Sequence, residues 1–243
     1  MAKCVAHREK TLTGAMPETT PPCDFSAAQI RRACEASLKR LQIDRIDLYQ
    51  IHWPERKVPL WGANQHKAGF AANDAANGQL QGFESVVATV GALIKEGKIR
   101  SWGLSNETSF GVCTFAQTCD RLGVPHPITI QNDFSLCART YESELAETCR
   151  LDNHNLSLIA YGVLNGGALS GKYLDDSAAP GSRFNFVAKI GSPKFQGRYH
   201  GDRSNLAIRE YAALAKEAGM STATLAQAWA YSRFYLDAVI IGA

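Results

Sequence analysis

Short apolar segments alternate with longer amphipathic segments along the chain, which predicts strands and helices in turn. The clearest strand carries Ile46, Leu48, Tyr49 and Ile51, an apolar run typical of a strand buried on both faces, and it ends at Pro54. Six strands are predicted, at residues 2–6, 45–53, 99–104, 128–131, 156–161 and 238–241. Six helices are predicted, at residues 26–41, 84–96, 109–122, 141–150, 203–218 and 221–233.

Capping residues and apolar spacing support the first three helices. Ser26 and Gln29 form a capping box, and the apolar residues that follow share one helical face: Ile30, Ala33, Leu38 and Leu41. Gly97 and Gly123 are suited to the C-terminal caps of the second and third helices. These signals predict helices that each cover one side of a sheet.

Strands and helices in alternation predict a parallel sheet covered by helices and joined by right-handed crossovers. Two architectures satisfy this pattern, a doubly wound open sheet and a (β/α)₈ barrel. A closed barrel of that type requires eight strands, and this sequence predicts six. Residues 54–82 and 174–202 are too long for ordinary connections, which indicates binding loops or lids.

Composition excludes several classes of protein. The 26 Lys and Arg residues nearly balance the 23 Asp and Glu residues and are scattered, so nothing indicates binding to nucleic acid or to a membrane. The seven cysteines lack the spacing of a disulfide framework or of a metal site, which is typical of reduced thiols in a cytoplasmic protein.

Polar and aromatic residues follow four successive predicted strands: His52, then Ser105 and Asn106, then Gln131, then Tyr161. The carboxyl ends of parallel strands lie at one edge of a sheet, where α/β proteins bind ligands. Amide and hydroxyl groups suit a neutral carboxamide, and a tyrosine face suits an aromatic ring. This shared edge predicts a single site.

A glycine-rich segment begins after Tyr161. Gly166, Gly171 and Lys172 have the spacing of a phosphate-binding P-loop. Tyr173 occupies the position of the required hydroxyl ligand to magnesium, which excludes a nucleotide triphosphatase. The glycines still allow close approach of a ligand, and Lys172 suits contact with a phosphate.

Five segments together resemble the aldo-keto reductases, nearest to the branch of Tas-type proteins and potassium-channel β-subunits. They are residues 47–54, 97–106, 130–132, 161–173 and 239–243, and the resemblance covers about residue 26 to the last residue. It implies a (β/α)₈ barrel that binds NADPH at its C-terminal mouth. It also implies hydride transfer to a small-molecule aldehyde or ketone, with a tyrosine as proton donor.

The resemblance also implies a role for each matching residue. His52 would orient the carbonyl, Trp53 would line the substrate pocket, and Tyr161 would stack on the nicotinamide. The carboxamide would be held by Ser105, Asn106 and Gln131, and the pyrophosphate side would be met by Gly162, Leu164, Gly166, Lys172 and Arg183. Lys3 would lower the pKa of the catalytic tyrosine, with Lys10 as the alternative.

The sequence departs from the family in its catalytic set. The family's catalytic Asp and Tyr would lie upstream of Met1, and Tyr49 is out of phase with His52 on a strand. Residues 1–243 are therefore predicted to be one incomplete barrel domain, corresponding to strands three to eight and lacking the C-terminal cofactor segment. The alternatives are an NADPH-dependent reductase, a catalytically inactive relative with a binding or regulatory role, and an unrelated open-sheet protein.

Overall fold

The computed structural model describes residues 2–4, 25–56, 58–59, 82–174, 182–184, 199 and 201–242. The chain divides into two compact units. Unit 1 contains Met1–Pro59, Gln65–Gln131 and Glu147–Ser157, and unit 2 contains Leu60–Asn64, Asn132–Ala146 and Leu158–Ala243. Most of the two predicted binding loops, 54–82 and 174–202, lies outside the described residues.

Unit 1 is a parallel sheet with helices. Its strands are β1 (Ala2–Cys4), β2 (Ile46–Ile51), β3 (Ile99–Ser105) and the first residues of β4 (Thr129–Asp133). Its helices are α1 (Ala27–Leu41), α2 (Gly82–Lys95) and α3 (Ser109–Leu122). Each strand pairs in parallel with the next, from β1 to β4. The predicted alternation of strands and helices is confirmed here.

The predicted cap at the start of α1 and the glycine caps at the ends of α2 and α3 are present. The backbone N–H of Gln29 donates to Ser26 Oγ over 3.3 Å at the start of α1. Gly97 and Gly123 adopt φ values of 71° and 63° after α2 and α3. A left-handed φ strains a residue with a side chain, which explains glycine at these two caps.

The predicted buried face of α1 is only partly correct, because Ala33 and Leu38 are half-buried. Ile30 is fully buried, as is Cys34 one turn later. Leu41 was expected on the same face, yet its side chain is 49% exposed. Leu41 is the last residue of α1, so the buried stripe ends one turn before it, at Ser37.

Large aromatic side chains fill the layer between the sheet and the helices of unit 1. Trp102 is fully buried, and its indole N–H donates to the backbone oxygen of Pro125 over 2.7 Å. Phe115 of α3 packs edge-on against Trp102 and against Phe83 of α2, with ring centroids 5.7 and 4.7 Å apart. These contacts fix α2 and α3 against β3.

Unit 2 contains the end of β4, all but the first residue of β5 (Ser157–Tyr161), and β6 (Leu236–Ile240). Strands β5 and β6 pair in parallel. Helices α5 (Asp202–Glu217) and α6 (Thr222–Tyr231) lie close to their predicted ranges. Its core includes the buried residues Leu136, Ala168, Leu169, Tyr173, Phe184, Tyr199, Ile208 and Ala226. No helix among the described residues of the chain is long and apolar enough to cross a membrane.

The predicted helix at 141–150 is wrong. A single 3₁₀ turn (Thr140–Glu142) and a four-residue helix, α4 (Leu145–Thr148), occupy this segment. The hydroxyl of Ser143 donates to the backbone oxygen of Thr140 over 2.7 Å. Such local side-chain bonds compete with the helical backbone pattern, which explains why the helix is interrupted.

Candidate functional site

The strand ends of unit 1 bring four predicted site residues together. His52 follows β2, Ser105 ends β3, and Asn106 comes directly after it. The parallel register places Ser105 opposite Gln131 of β4. These residues share one edge because parallel strands present all their carboxyl ends on the same side of a sheet.

Hydrogen bonds connect these four residues. Ser105 Oγ and the backbone N–H of Asn106 both donate to the backbone oxygen of Gln131, over 2.7 and 3.0 Å. Asn106 Nδ2 donates to the backbone oxygen of His52 over 2.8 Å. Asn106 adopts a left-handed φ of 57°, a conformation that asparagine tolerates better than most residues. The turn after β3 is thereby fixed against the end of β2.

Gln50 extends this network below the strand ends and was not predicted. Gln131 Nε2 donates to Gln50 Oε1 over 3.1 Å, and Gln50 Nε2 donates to Thr129 Oγ1 over 3.3 Å. Gln50 is fully buried and Gln131 is 1% exposed. Spacing along the strand could have indicated Gln50. It lies two residues before His52, and residues two apart on a strand point to the same face.

Trp53 lies beside His52, with ring centroids 4.6 Å apart. It lines a small pocket with an enclosed volume of about 60 Å³, between the ends of β2 and β3 and helices α2 and α3. Most of its lining side chains are apolar, among them Phe25, Ile51, Phe83, Leu104 and Phe115. The pocket can therefore accept an apolar group next to Trp53.

Lys3 lies on β1, the strand paired with β2. The register places the Cα of Lys3 opposite that of Gln50. Lys3 is therefore level with a residue of the buried network, two positions before His52 on the neighbouring strand. The alternative lysine, Lys10, lies outside the described residues.

Tyr49 faces the helices, as its phase on β2 predicted. Its side chain is fully buried, and its hydroxyl donates to the backbone oxygen of Ile30 on α1 over 3.2 Å. Tyr49 is the only tyrosine in the sequence of unit 1. Its hydroxyl is therefore engaged with α1, away from the network of Gln50 and Gln131.

A buried ion pair beside the network was not predicted either. Arg56 donates to both carboxylate oxygens of Glu107, with N–O distances of 2.6 and 3.2 Å. The Glu107 side chain is 2% exposed and that of Arg56 is 18% exposed. Neither residue was predicted as a site residue, and their separation of 51 residues gives no local signal.

In unit 2, Tyr161 ends β5 and is half-buried. The backbone N–H of Phe134 donates to its backbone oxygen over 3.1 Å. Gly162 follows with φ of 74°, and a Cβ there would lie only 2.5 Å from Asp133 Oδ1 and 2.7 Å from the Tyr199 hydroxyl. Asp133 accepts a hydrogen bond of 2.7 Å from Tyr199, so this pair encloses the glycine.

The glycine-rich segment forms a 3₁₀ turn (Asn165–Ser170) rather than the loop and helix of a P-loop. Gly166, Gly167 and Gly171 adopt φ values of 64°, 99° and 83°. A Cβ at Gly167 would lie 3.2 Å from Cε of the exposed Lys172 side chain. The backbone N–H groups of Gly167 and Gly171 donate to the oxygens of Leu164 and Ala168 over 2.8 and 3.0 Å, so Lys172 is the group of this turn that suits contact with an anion.

The two remaining predicted residues of unit 2 differ in their surroundings. Leu164 is half-buried and packs against the core of the unit. Arg183 is exposed. The structure thus groups His52, Ser105, Asn106 and Gln131 within unit 1, and Tyr161, Gly162, Leu164, Gly166, Lys172 and Arg183 belong to unit 2. Their common contact with one cofactor stays a prediction.

Comparisons with known proteins agree with this architecture. The model of the aldo/keto reductase family matches residues 3–243. Protein tas of Escherichia coli is 35% identical over 217 residues, covering 88% of this chain and 58% of that protein. An aldo-keto reductase of Babesia bovis is 33% identical over 227 residues, covering 91% of this chain and 77% of that protein.

A solved structure shows the same likeness. The glycerol dehydrogenase AKR11B4 of Gluconobacter oxydans superposes with a TM-score of 0.63 at 27% identity, covering 93% of this chain and 58% of that one. The parallel α/β fold is therefore that of the aldo-keto reductase barrel. The chain spans 58% of the length of both protein tas and this dehydrogenase.

Proposed function

Because the chain belongs to the aldo/keto reductase family, we propose that it binds NADPH at its strand ends and serves hydride transfer to a small aldehyde or ketone. The family supports the general part of this proposal, oxidoreductase function. The choice of NADPH and of carbonyl substrates is the part we propose.

The hydrogen-bonded network of Ser105, Asn106 and Gln131 is the observation that carries this proposal. A nicotinamide carboxamide has one acceptor oxygen and two donor hydrogens, and these three side chains can match both kinds of group. Ser105 and Asn106 are held by backbone oxygens and Gln131 by the side chain of Gln50, so little ordering entropy is lost when a carboxamide binds.

Tyr161 supplies the stacking face for the nicotinamide in this proposal. A ring covered on one face is open to the substrate only on the other, which makes hydride delivery stereospecific. Bound NADPH supplies the hydride itself. The pyrophosphate side is assigned to Gly162, Leu164, Gly166, Lys172 and Arg183, with Lys172 as the cation nearest the glycine-rich turn.

His52 is proposed to orient the carbonyl oxygen and Trp53 to line the substrate pocket. An imidazole can donate a hydrogen bond to an oxygen that gains negative charge as the reaction proceeds. Lys3 remains the proposed lysine of the catalytic set.

A second function, cofactor binding without carbonyl reduction, is favoured by Tyr49. The proposed mechanism needs a tyrosine beside His52 as proton donor, and the hydroxyl of the only tyrosine in unit 1 bonds to α1. Loss of a general acid lowers a rate by about 10²–10⁴-fold. On that basis we expect NADPH binding without measurable carbonyl reduction by this 243-residue chain.

A fluorescence titration with NADPH tests the proposal. We expect saturable binding by the wild-type chain and at least about tenfold weaker binding by Asn106→Ala, because a buried carboxamide contact is lost. Asn153→Ala is the matched control, since Asn153 Nδ2 also donates to a backbone oxygen but at an exposed position.

Two results would count against these assignments. Absence of saturable NADPH binding by folded wild-type chain would remove the cofactor site. Rapid oxidation of NADPH with a small aldehyde would instead remove the second function and require a proton donor other than Tyr49.

A further inference from the structure

The pair formed by Arg56 and Glu107 has the geometry of a rigid connection. Two parallel N–H donors of one guanidinium meet the two oxygens of one carboxylate, at 2.6 and 3.2 Å. This two-point arrangement restricts both distance and angle, which a single ammonium would not do.

The surroundings of Arg56 restrict it further. Its guanidinium carbon lies 5.2 Å from the ring centre of Phe83 and 5.3 Å from that of Phe110. Arg56 also donates to Thr108 Oγ1 over 3.0 Å. The side chain therefore occupies one fixed position between α2 and α3.

The start of α3 is shaped around the carboxylate. The backbone N–H of Thr108 donates to Glu107 Oε1 over 2.7 Å. A Cβ at Gly111 would lie 2.1 Å from Glu107 Oε1 and 2.7 Å from Arg56 Nη2, so no larger residue fits there without movement. A negative charge at a helix N-terminus is also favourable.

We propose that Arg56 and Glu107 are positioning residues that hold the segments carrying His52 and Asn106 in register at the cofactor site. Arg56 follows His52 by four residues, and Glu107 follows Asn106 directly. The bond from Asn106 Nδ2 to the backbone oxygen of His52 is the first connection between these segments, and the ion pair is the second. This inference rests on the proposed function.

A positioning role differs from a stabilising one in what it predicts. Replacing a buried ion pair by neutral side chains of similar volume is often harmless to stability. The double variant Arg56→Met/Glu107→Gln removes both charges and leaves neither partner buried alone. A lower NADPH affinity in this folded variant then shows that the segments carrying His52 and Asn106 are no longer held in their relative positions.

The matched control uses Arg121 and Glu84, an exposed ion pair between α3 and α2. Its N–O distance is 3.0 Å, but its side chains are 57% and 62% exposed. We expect Arg56→Met/Glu107→Gln to retain a cooperative thermal transition and to bind NADPH at least about tenfold more weakly. Arg121→Met/Glu84→Gln should bind NADPH as the wild type does.

Arg56→Lys separates geometry from charge. Lysine keeps the positive charge beside Glu107 but forms a point contact, so we expect NADPH affinity closer to that of the double variant than to that of the wild type. Wild-type affinity in both Arg56→Lys and Arg56→Met/Glu107→Gln would overturn the positioning role.

A readout without cofactor separates this inference from the proposed function. Amide hydrogen exchange in the double variant should rise about tenfold or more at residues 52–56 and 106–108, and stay unchanged in α1. Faster exchange there without NADPH binding by the wild type would refute the proposed function alone. Unchanged exchange at both segments would overturn the positioning role itself.

Discussion

At the scale of single residues, the space around Gly162 is too small for a Cβ. Gly162 combines a left-handed φ of 74° with contacts to Asp133 and Tyr199 that leave no space for a Cβ. Sequence motifs predicted Gly162 as a site residue. They did not predict the reason, because Asp133 and Tyr199 lie 29 residues before and 37 residues after it.

Gly162→Ala should therefore be more damaging than an alanine at an equally left-handed but open position. Gly219 is the control, since it has φ of 68° and no atom within 4 Å of its ideal Cβ. We expect Gly219→Ala to cost about 1 kcal/mol of unfolding free energy, and Gly162→Ala to cost about 1–3 kcal/mol more through overpacking. Equal losses in urea denaturation would contradict the tight enclosure of Gly162.

At the scale of elements, periodicity and caps predicted α1, α2, α3, α5 and α6 within one or two residues at most ends. These signals work because they depend on neighbours along the chain. They failed at 141–150, where Ser143 bonds to local backbone, and at Leu41, whose exposure depends on where α1 ends. The spacing of apolar residues carries no information about a local side-chain bond or about the residue at which a helix ends.

The 3₁₀ turn at Thr140–Glu142 is anchored by a charged group that titrates. Burial raises the pKa of Glu142, but hydrogen bonds from Arg139 and Tyr235 outweigh it and hold the pKa below its usual 4.5. Burial and the neighbouring Glu142 raise the pKa of Tyr235 in turn. A lowered carboxyl pKa stabilises the fold above its unfolded pKa, and this contribution is lost as the pH falls through the folded value.

Glu142→Gln should accordingly destabilise the protein at neutral pH by about 1–2 kcal/mol, and by less below about pH 4. Urea denaturation at several pH values measures this difference. Glu210→Gln serves as the control because Glu210 is an exposed carboxylate of α5. A cost for Glu142→Gln that stays constant with pH would contradict the pairing of Glu142 with Arg139 and Tyr235.

At the scale of the whole molecule, the order of elements could be predicted from the sequence, and so could the edge at which polar residues gather. The network that connects them could not, because strand register decides that Ser105 lies opposite Gln131 and Lys3 opposite Gln50. Gln50, Arg56 and Glu107 were missed because their partners are distant in the sequence. Their partners lie on other elements, 51 to 81 residues away.

The central claim is the proposal that NADPH binds at the strand ends that carry the predicted site residues. NADPH titration of Asn106→Ala and of Tyr161→Ala tests it most directly, since one residue follows β3 and the other ends β5. The account predicts that each substitution weakens binding by about tenfold or more in variants that still unfold in one cooperative transition. Wild-type affinity in either folded variant would contradict it.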